Sequence, residues 1–268
     1  MALLRVTILG CGSSPGVPRI GPDWGACDPA EPKNRRLRCS LLVERHDGDR
    51  RTTVLIDTGP DVRAQLLTAG VRHLDAVIYT HAHADHCHGI DDLRVFWQDS
   101  RRRVNVYADA ETQRRLDHAF GYCFRTPPGG FYPPILEAHE IALETPVTIT
   151  GAGGSIAFMP FRQQHGEIHT LGFRIGDLAY SCDVSGLPAE SLPQLSGLGT
   201  WIVDALRYQP HPSHFSVKDA LGWIARLKPR RAILTHMHID LDYQRLRAEL
   251  PAGVEPAYDG LTVDQDIG

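Results

Sequence analysis

Close cysteine pairs, long apolar runs and an excess of positive charge are all missing from this 268-residue sequence. Its six cysteines occur singly, which excludes a small disulfide scaffold and predicts reduced, buried thiols. No apolar stretch approaches the roughly 20 residues that a membrane-spanning helix needs. The formal net charge of −4 offers no overall attraction for nucleic acid. Together these absences predict a soluble protein of the cytoplasm with no membrane or nucleic-acid partner.

Repeats and low-complexity tracts are also missing, and no secretory signal is expected. The first nine residues lack the basic flank of a signal peptide and predict a β-strand instead. With 42% hydrophobic and 22% charged residues, the composition is that of an ordinary globular chain. A chain of this length can form one large core, and we therefore expect a single domain over residues 1–268.

Strand-like and helical segments alternate along the chain, as in α/β proteins. Strands are predicted at 3–9, 38–45, 52–57, 75–79, 147–150, 156–161, 170–175, 178–183, 201–204 and 231–235, and helices at 61–69, 110–124, 216–227 and 242–249. The proline- and glycine-rich segment 125–146 is predicted to be irregular, either a wall of a substrate pocket or a plain surface crossover. The basic segments 33–36 and 101–103 are predicted to be solvated loops.

The strongest chemical signal is the segment 80–89, which reads Thr-His-Ala-His-Ala-Asp-His-Cys-His-Gly directly after a predicted strand. In an extended chain, positions two apart point to the same side, so His81 and His83 can share one metal ion. Asp85 and His86 lie where the chain turns into a helix and face another direction, which suits a second ion. The alternative is a polar loop in which histidines cluster by chance, since the chain has 14 of them.

Three further candidate ligands argue against chance clustering. His165, Asp183 and His236 each follow an apolar, strand-like run. Strand ends gather at one edge of a sheet, where open α/β architectures bind their ligands. Cys182 precedes Asp183 on the same predicted strand and should therefore point to the opposite face. The candidate ligands together predict a site for two divalent metal ions.

Two adjacent cations can carry out hydrolysis. Held about 3.5 to 4 Å apart, they lower the pKa of a bridging water, polarise a phosphoryl oxygen and orient an in-line attack. The pattern therefore predicts a hydrolase that uses a metal-bridging hydroxide. Imidazole and carboxylate ligands accept Zn²⁺, Mn²⁺ or Fe²⁺, so the residue types leave the metal open.

The order His-x-His-x-Asp-His, followed by a lone His, a lone Asp and a lone His, resembles the metallo-β-lactamase superfamily of hydrolases over nearly the whole chain. The segments 10–18, 39–40 and 57–61 more narrowly resemble the branch with the phosphoribosyl cyclic phosphate phosphodiesterases, the PhnP-like enzymes. That branch is related to the transfer-RNA 3′-processing nucleases. The resemblance implies an αββα sandwich, in which helices flank two central β-sheets, and a homodimer.

The resemblance also assigns roles to the candidate residues. One metal is held by His81, His83 and His165, the other by Asp85, His86 and His236, and Asp183 bridges the two. His214, in a Pro-x-His loop, is implied to be the general acid or phosphate binder, with His211, His169 and His88 as rivals. Asp57 is a candidate to orient a ligand histidine, and its alternative role is to cap the following turn.

One departure from the resembled branch concerns a separate structural zinc. Members of that branch hold this ion with a Cys-x-Cys-x-x-Cys loop and a later histidine. Here the segment 21–27 keeps only Cys27, and position 239 is an isoleucine. A closed tetrahedral site needs four ligands, so we predict that this third metal is absent. Trp24 is expected to hold the loop by packing, and His238 remains within possible reach of Cys27.

The function implied is a phosphodiesterase with two divalent ions, acting on a small phosphodiester such as phosphoribosyl cyclic phosphate or a 2′,3′-cyclic nucleotide. Three alternatives stay open: a transfer-RNA-processing nuclease, a thioester or β-lactam hydrolase, and a non-enzymatic metal-binding protein of cofactor biosynthesis. The nuclease would need a basic, glycine-rich arm for its large substrate, and the sequence shows no obvious insertion of that kind.

Overall fold

Two seven-stranded β-sheets form the centre of the computed structural model, which describes residues 2–267. The strands of the first sheet are β1 (Ala2–Gly10), β2 (Ser40–Asp47), β3 (Arg50–Ile56), β4 (Ala76–Ile78), β5 (Val104–Ala108), β6 (Leu136–Glu140) and β14 (Thr262–Ile267). Those of the second are β7 (Val147–Gly151), β8 (Gly154–His165), β9 (Ile168–Ile175), β10 (Leu178–Ser181), β11 (Thr200–Asp204), β12 (Arg231–Thr235) and β13 (Val254–Pro256). Their spatial orders are β14-β1-β2-β3-β4-β5-β6 and β13-β12-β11-β10-β9-β8-β7.

Helices cover both outer faces. They are α1 (Val62–Thr68), α2 (Ala84–Cys87), α3 (Arg94–Ser100), α4 (Ala110–Phe124), α5 (Val217–Leu227) and α6 (Tyr243–Glu249). Short 3₁₀ helices lie at Pro32–Asn34, Ile90–Leu93 and Ala189–Leu195. The helix α5 begins with a capping box between Ser216 and Asp219, as its predicted start at position 216 implies.

Side chains of the first sheet alternate between two hydrophobic cores, one on each face of the sheet. Along β3, Val54 and Ile56 pack between the sheets, whereas Leu55 packs outward against the helices. The inner core also contains Phe158 and Trp201 from the second sheet. Both faces of β3 are therefore buried at Val54, Leu55 and Ile56, which explains why these three successive residues are apolar. The predicted αββα sandwich is confirmed.

Several elements escaped the sequence prediction. The helix α3 and the strands β5, β6, β13 and β14 were not predicted. The strand β6 lies inside the segment 125–146, so that segment is only partly irregular and the prediction was wrong there. It pairs in parallel with β5 at the edge of its sheet, and its alternation is weak because most of its side chains are at least partly exposed. All six cysteines are buried free thiols, as predicted.

The basic segment 33–36 is not the solvated loop that its charge predicts. Arg36 is only 1% exposed, and its Nη2 donates hydrogen bonds to the carbonyl oxygen of Leu241 at 2.6 Å and to Asn34 Oδ1 at 3.2 Å. Backbone carbonyls attract the guanidinium inward, an effect that a count of charges cannot show. By contrast, residues 101–103 are exposed, as predicted.

The loop that carries Cys27 lies against this buried arginine. Cys27 Sγ donates a hydrogen bond to the carbonyl oxygen of Ile239 at 3.3 Å, and Trp24 packs against both residues. Arg36 Nη1 lies 3.9 Å from the same sulfur. His238 instead places its Nδ1 3.4 Å from Asp240 Oδ1. Packing and hydrogen bonds thus hold this loop.

Within residues 2–267, no helix combines the length and the apolar character that crossing a membrane requires.

Candidate metal centre

The candidate ligands converge at one edge of the sandwich, where strand ends of both sheets meet. From the first sheet come Asp57 after β3 and the segment 81–86 after β4. From the second come His165 at the end of β8, Asp183 after β10 and His236 after β12. The structure brings together all seven residues that the sequence singled out as ligands.

Three residues at this edge have an unusual backbone conformation, which sets the direction of their side chains. Asp57, Asp183 and His236 have φ angles of 65°, 52° and 58°, in the left-handed region that few residues other than glycine occupy. Asp57 and His236 directly follow their strands, and Asp183 is separated from β10 by Cys182 alone. The reversal in φ turns each side chain out of the strand alternation and toward the shared edge. Left-handed residues of this kind cluster at functional sites.

The motif segment is held against the loop after β3 by very close backbone contact. A Cβ atom on Gly59 would lie 2.2 Å from the carbonyl oxygen of Asp85, so only glycine fits there. The amide of Thr58 donates to the carbonyl oxygen of His86 at 2.7 Å. This contact explains why the segment 57–61 carries a glycine.

One oxygen of Asp183 faces the first group of histidines. Its Oδ2 lies 3.6 Å from His81 Nε2 and 3.5 Å from His165 Nε2. His83 Nδ1 lies 3.3 Å from His165 Nε2. These four residues offer ligand atoms within 4.8 Å of one another, which is compact enough to surround one ion.

The other oxygen of Asp183 faces the second group. Its Oδ1 lies 3.2 Å from His86 Nε2 and 3.3 Å from His236 Nε2. Asp85 Oδ2 lies 3.5 Å from His86 Nε2 and 3.8 Å from His236 Nε2. Asp183 therefore joins the two groups through its two carboxylate oxygens.

The polar atoms at this centre fit divalent cations. The Nε2 atoms of His81, His86 and His236 are buried and have no hydrogen-bond partner among residues 2–267. Buried polar atoms without partners are costly, and most have an explanation such as a bound ion. Neutral imidazole and carboxylate are ordinary ligands of divalent transition metals. The centre is therefore suited to bind divalent metal.

Hydrogen bonds on the far side of the rings orient them. His86 Nδ1 donates to Asp57 Oδ2 at 2.7 Å, and His165 Nδ1 donates to the carbonyl oxygen of Ser213 at 2.6 Å. Asp57 also accepts from the amide of Thr80 at 2.8 Å. These contacts leave Nε2 of both rings free to face a metal. Asp57 thus orients a ligand histidine and does not cap its own turn.

Charges at the centre shift its pKa values in opposite directions. Burial lowers the pKa of His81 well below its usual value, and the charge of His86 lowers it further. Burial acts in the same direction on His236, but the carboxylates of Asp183 and Asp85 outweigh it and raise the pKa to about 10. Burial would raise the pKa of Asp183, yet the neighbouring imidazoles hold it well below its usual value. The bridging carboxylate therefore stays ionised.

His214 lies at the rim of the centre, beside the second group. Its ring stacks on His236 with centroids 4.6 Å apart, and its Nδ1 donates to Asp204 Oδ2 at 2.8 Å. The amide of Val184 donates to the same oxygen at 3.0 Å. Asp204 was missed in the sequence, although it ends the apolar strand β11 in the same way that Asp183 follows β10. An acidic residue at a strand end was the available signal.

The rival histidines lie farther out. His211 is at the rim, with its ring centroid 5.2 Å from that of His214. His169 is exposed on β9. His88 is also exposed and packs edge-on against Phe120 at 5.5 Å.

Cys182 does not point to the opposite face, so that prediction was wrong. The strand β10 ends at Ser181, and the alternation of a strand no longer applies beyond it. The Cys182 thiol lies 3.0 Å from Asp183 Oδ1, and its sulfur is within 4.8 Å of the nearest ligand nitrogens of His86 and His236. The left-handed φ of Asp183 is what brings the two neighbours to one side.

Comparisons with known proteins agree with this geometry. A family model described as Beta-lactamase superfamily domain matches residues 52–237. An octanoyltransferase of Porphyromonas gingivalis is 34% identical over 264 residues, which are 96% of this chain and 51% of that protein. This chain thus spans about half the length of that relative. A ribonuclease Z of Methanococcus maripaludis is 28% identical over 150 residues, covering 54% of this chain and 41% of that protein.

One solved structure matches this chain over almost its whole length. The crystal structure of a new diphosphatase from the PhnP family matches with a TM-score of 0.88 and 37% sequence identity. The match covers 99% of this chain and 98% of that one. This chain therefore belongs to the β-lactamase superfamily, has the metallo-β-lactamase fold and resembles the hydrolases of the PhnP family.

Proposed function

We propose that this protein is a phosphodiesterase that holds two divalent cations and hydrolyses a small cyclic phosphodiester. The observation that supports it most is the position of Asp183, which presents one carboxylate oxygen to each of two histidine groups. One cation would be held by His81, His83 and His165, and the other by Asp85, His86 and His236. Such a pair, when bound, supplies Lewis acidity at phosphorus and lowers the pKa of water.

His214 is the residue we propose as proton donor to the leaving oxygen. Its Nδ1 is engaged by Asp204 at 2.8 Å, which leaves Nε2 as the atom that can hold and deliver a proton. The hydrogen bond to the carboxylate of Asp204 fixes the orientation of the ring. Stacking on His236 keeps the ring beside the second histidine group.

A diphosphate is the second candidate substrate. The 37% identical neighbour is named a diphosphatase of the PhnP family, and hydrolysis of a phosphoanhydride needs the same arrangement of groups. The relative named octanoyltransferase is about twice as long as this chain, so its name supports no choice of reaction here. A net charge of −4 does not favour a large RNA substrate.

A substrate panel tests the proposal. Metal-reconstituted protein is assayed with bis-p-nitrophenyl phosphate, a 2′,3′-cyclic nucleotide, a dinucleoside diphosphate, a thioester and nitrocefin. We expect turnover of the phosphodiesters, with the cyclic nucleotide preferred. Preferred cleavage of the diphosphate would select the second candidate, and turnover confined to the thioester or nitrocefin would reject both.

The variant His214→Ala tests the proton donor. Removing a general acid should lower turnover by about 10² to 10⁴, while elemental analysis still finds the wild-type metal content. His169→Ala is the matched control, because His169 is exposed on β9. Near-normal turnover in His214→Ala would reject the assigned role.

A further inference from the structure

A buried thiol lies beside the second histidine group. Cys182 is fully inaccessible to solvent, and its Sγ lies 3.0 Å from Asp183 Oδ1. This carboxylate oxygen is the one that faces His86 and His236. The four residues each offer one ligand atom within 4.8 Å of the other three. The sulfur therefore shares a small space with three of the candidate metal ligands.

Two other cysteines near the metal centre are engaged differently. Cys39 Sγ donates to the carbonyl oxygen of Gly12 at 3.4 Å, and Cys87 Sγ donates to that of Ala82 at 3.5 Å. Neither belongs to a group of side chains compact enough to hold a metal ion, and within residues 2–267 Cys182 is the only cysteine that does. A single sulfur atom is thus available to the second group.

The atoms around this sulfur favour a cation over a thiol proton. His86 and His236 are only 0% and 1% exposed, and the Nε2 atom of each has no hydrogen-bond partner among residues 2–267. A thiol is a weak donor with one proton, so it can satisfy only one neighbouring atom, here Asp183 Oδ1. A divalent cation can bind both ring nitrogens, the carboxylate oxygen and the sulfur together.

A sulfur ligand changes which metal a site prefers. Thiolate is a soft ligand that selects Zn²⁺, whereas carboxylate and water ligands suit Mn²⁺ and Mg²⁺. The first group consists of three histidines and the shared Asp183, and its ligand atoms are nitrogen and oxygen. The two groups therefore differ in chemistry, and the second is the softer one.

We propose that Cys182 is a sulfur ligand of the second cation and makes the second group selective for zinc. The sulfur binds as a thiolate, and the thiol proton is released to solvent as the bond between sulfur and metal forms. This assignment rests on the two cations of the proposed function and narrows the choice of metal for one of them. It leaves the choice of substrate unchanged.

Absorption spectra of cobalt-loaded protein test the sulfur ligand. Co²⁺ occupies zinc sites, and a thiolate bound to it produces a charge-transfer band in the near ultraviolet that nitrogen and oxygen ligands do not give. We expect this band in the wild type and its loss in Cys182→Ser. The control Cys123→Ser, which changes a buried cysteine between the first sheet and its helices, should retain it. Persistence of the band in Cys182→Ser would overturn the assignment.

X-ray absorption of zinc-loaded wild type measures the bond itself. We expect one sulfur at about 2.3 Å from zinc, besides nitrogen and oxygen at about 2.0 to 2.2 Å. Because this measurement uses no variant, it does not depend on how well Cys182→Ser folds. In competition between Zn²⁺ and Mn²⁺, the preference for zinc should fall at least about tenfold in Cys182→Ser and stay unchanged in Cys123→Ser. Absence of sulfur around zinc in the wild type would reject the assignment.

Metal content and turnover of the same samples distinguish this failure from failure of the proposed function. Two cations per chain without a sulfur bond would reject the sulfur ligand and leave the proposed phosphodiesterase in place. A sulfur bond without turnover of any phosphodiester or diphosphate would retain the ligand and reject the proposed reaction. Protein that binds no divalent cation would contradict both proposals.

Discussion

Two buried polar clusters in this protein differ in how their atoms are satisfied. At the metal centre, the Nε2 atoms of His81, His86 and His236 face one another and find no hydrogen-bond partner among residues 2–267. Near Cys27, the Nη atoms of buried Arg36 donate to the carbonyl oxygens at 238 and 241 and to a side-chain amide. The first cluster gathers several such atoms around one carboxylate, as a cation site would, whereas the second contains its own cation, the guanidinium group, of which only Nε lacks a partner.

The comparison shows that burial of polar groups does not by itself indicate a ligand site. What distinguishes the metal centre is the combination of burial with atoms that lack partners and aim at a common point. Arg36 and the candidate ligands are similarly inaccessible to solvent, but Arg36 has a single atom without a partner, whereas the three histidine nitrogens gather around the Asp183 carboxylate.

The largest effect is expected from Asp183→Asn. The amide keeps one oxygen but replaces the other by a donor that repels a cation, so the two histidine groups lose their shared ligand. Turnover should fall by at least about a thousandfold, and the metal content should drop. Elemental analysis and assays with bis-p-nitrophenyl phosphate check this. Full metal content with normal turnover would contradict the bridging role.

A smaller effect, on stability, is expected from Arg36→Met. The substitution leaves buried carbonyl oxygens unpaired and should reduce the free energy of unfolding by about 2 to 4 kcal/mol. Urea denaturation measures this on chelator-treated protein, with Arg102→Met as an exposed control that should stay within about 0.5 kcal/mol. Metal content per folded chain should not change. A metal loss equal to that of Asp183→Asn would mean that the two clusters are not separate.

Asp57→Asn is expected to lower metal affinity. Its carboxylate accepts from His86 Nδ1 at 2.7 Å, and the substitution weakens the contact that orients this ring. Metal affinity should fall about 10- to 100-fold, as measured by competition with a chelator. Asp264→Asn is the control, since that carboxylate pairs with Arg5 on the first sheet. Unaltered affinity would show that the ring is oriented by packing.

The last effect, which appears only as a change of stability with pH, concerns Asp259, a partly buried carboxylate whose partners are neutral. It accepts from the amide of Leu37 at 2.7 Å and from the amide of Cys11 at 3.1 Å, and burial raises its pKa to about 7. Because the folded-state pKa exceeds the unfolded value of about 3.9, the folded state binds the carboxyl proton more tightly than the unfolded state does. The resulting stabilisation of the fold is fully present below pH 4 and is lost as the pH rises through 7.

Metal-free wild type should therefore lose stability relative to Asp259→Asn between pH 4 and 7. The slope of the difference should be at most about 1.4 kcal/mol per pH unit. Denaturation at several pH values measures it. If the free energy of unfolding changes with pH in the same way in both proteins, the ionisation of Asp259 does not reduce the stability of the fold.

The fold and the convergence of the candidate ligands could be predicted because both depend on local patterns. Apolar runs that end in His or Asp mark the strand ends at the centre, and the segment 80–89 concentrates four of these groups. The strands β5, β6, β13 and β14 were missed because several are short or half exposed and are fixed by pairing with distant strands. The inward position of Arg36 likewise depends on carbonyl groups some 200 residues away.

The side-chain directions at the centre were harder to predict than the residues. Alternation placed Cys182 on the wrong face because it assumes a strand that continues through Asp183. The left-handed φ at Asp183 ends this alternation. Neither a cysteine nor an aspartate in the sequence indicates such a backbone conformation. The role of Asp204 depends on contact with His214, ten residues away, which is a property of the folded loop.

The three left-handed residues at the strand ends have a consequence for protein design. Grafting the seven ligand side chains and Asp57 onto another sandwich with ordinary strand ends would turn Asp57, Asp183 and His236 away from any common point. A designer would first have to build the chain reversal into the scaffold, at a cost of about 1 to 3 kcal/mol for each position. A bound cation would have to recover that cost, so such a transplant should fold well only in the presence of metal.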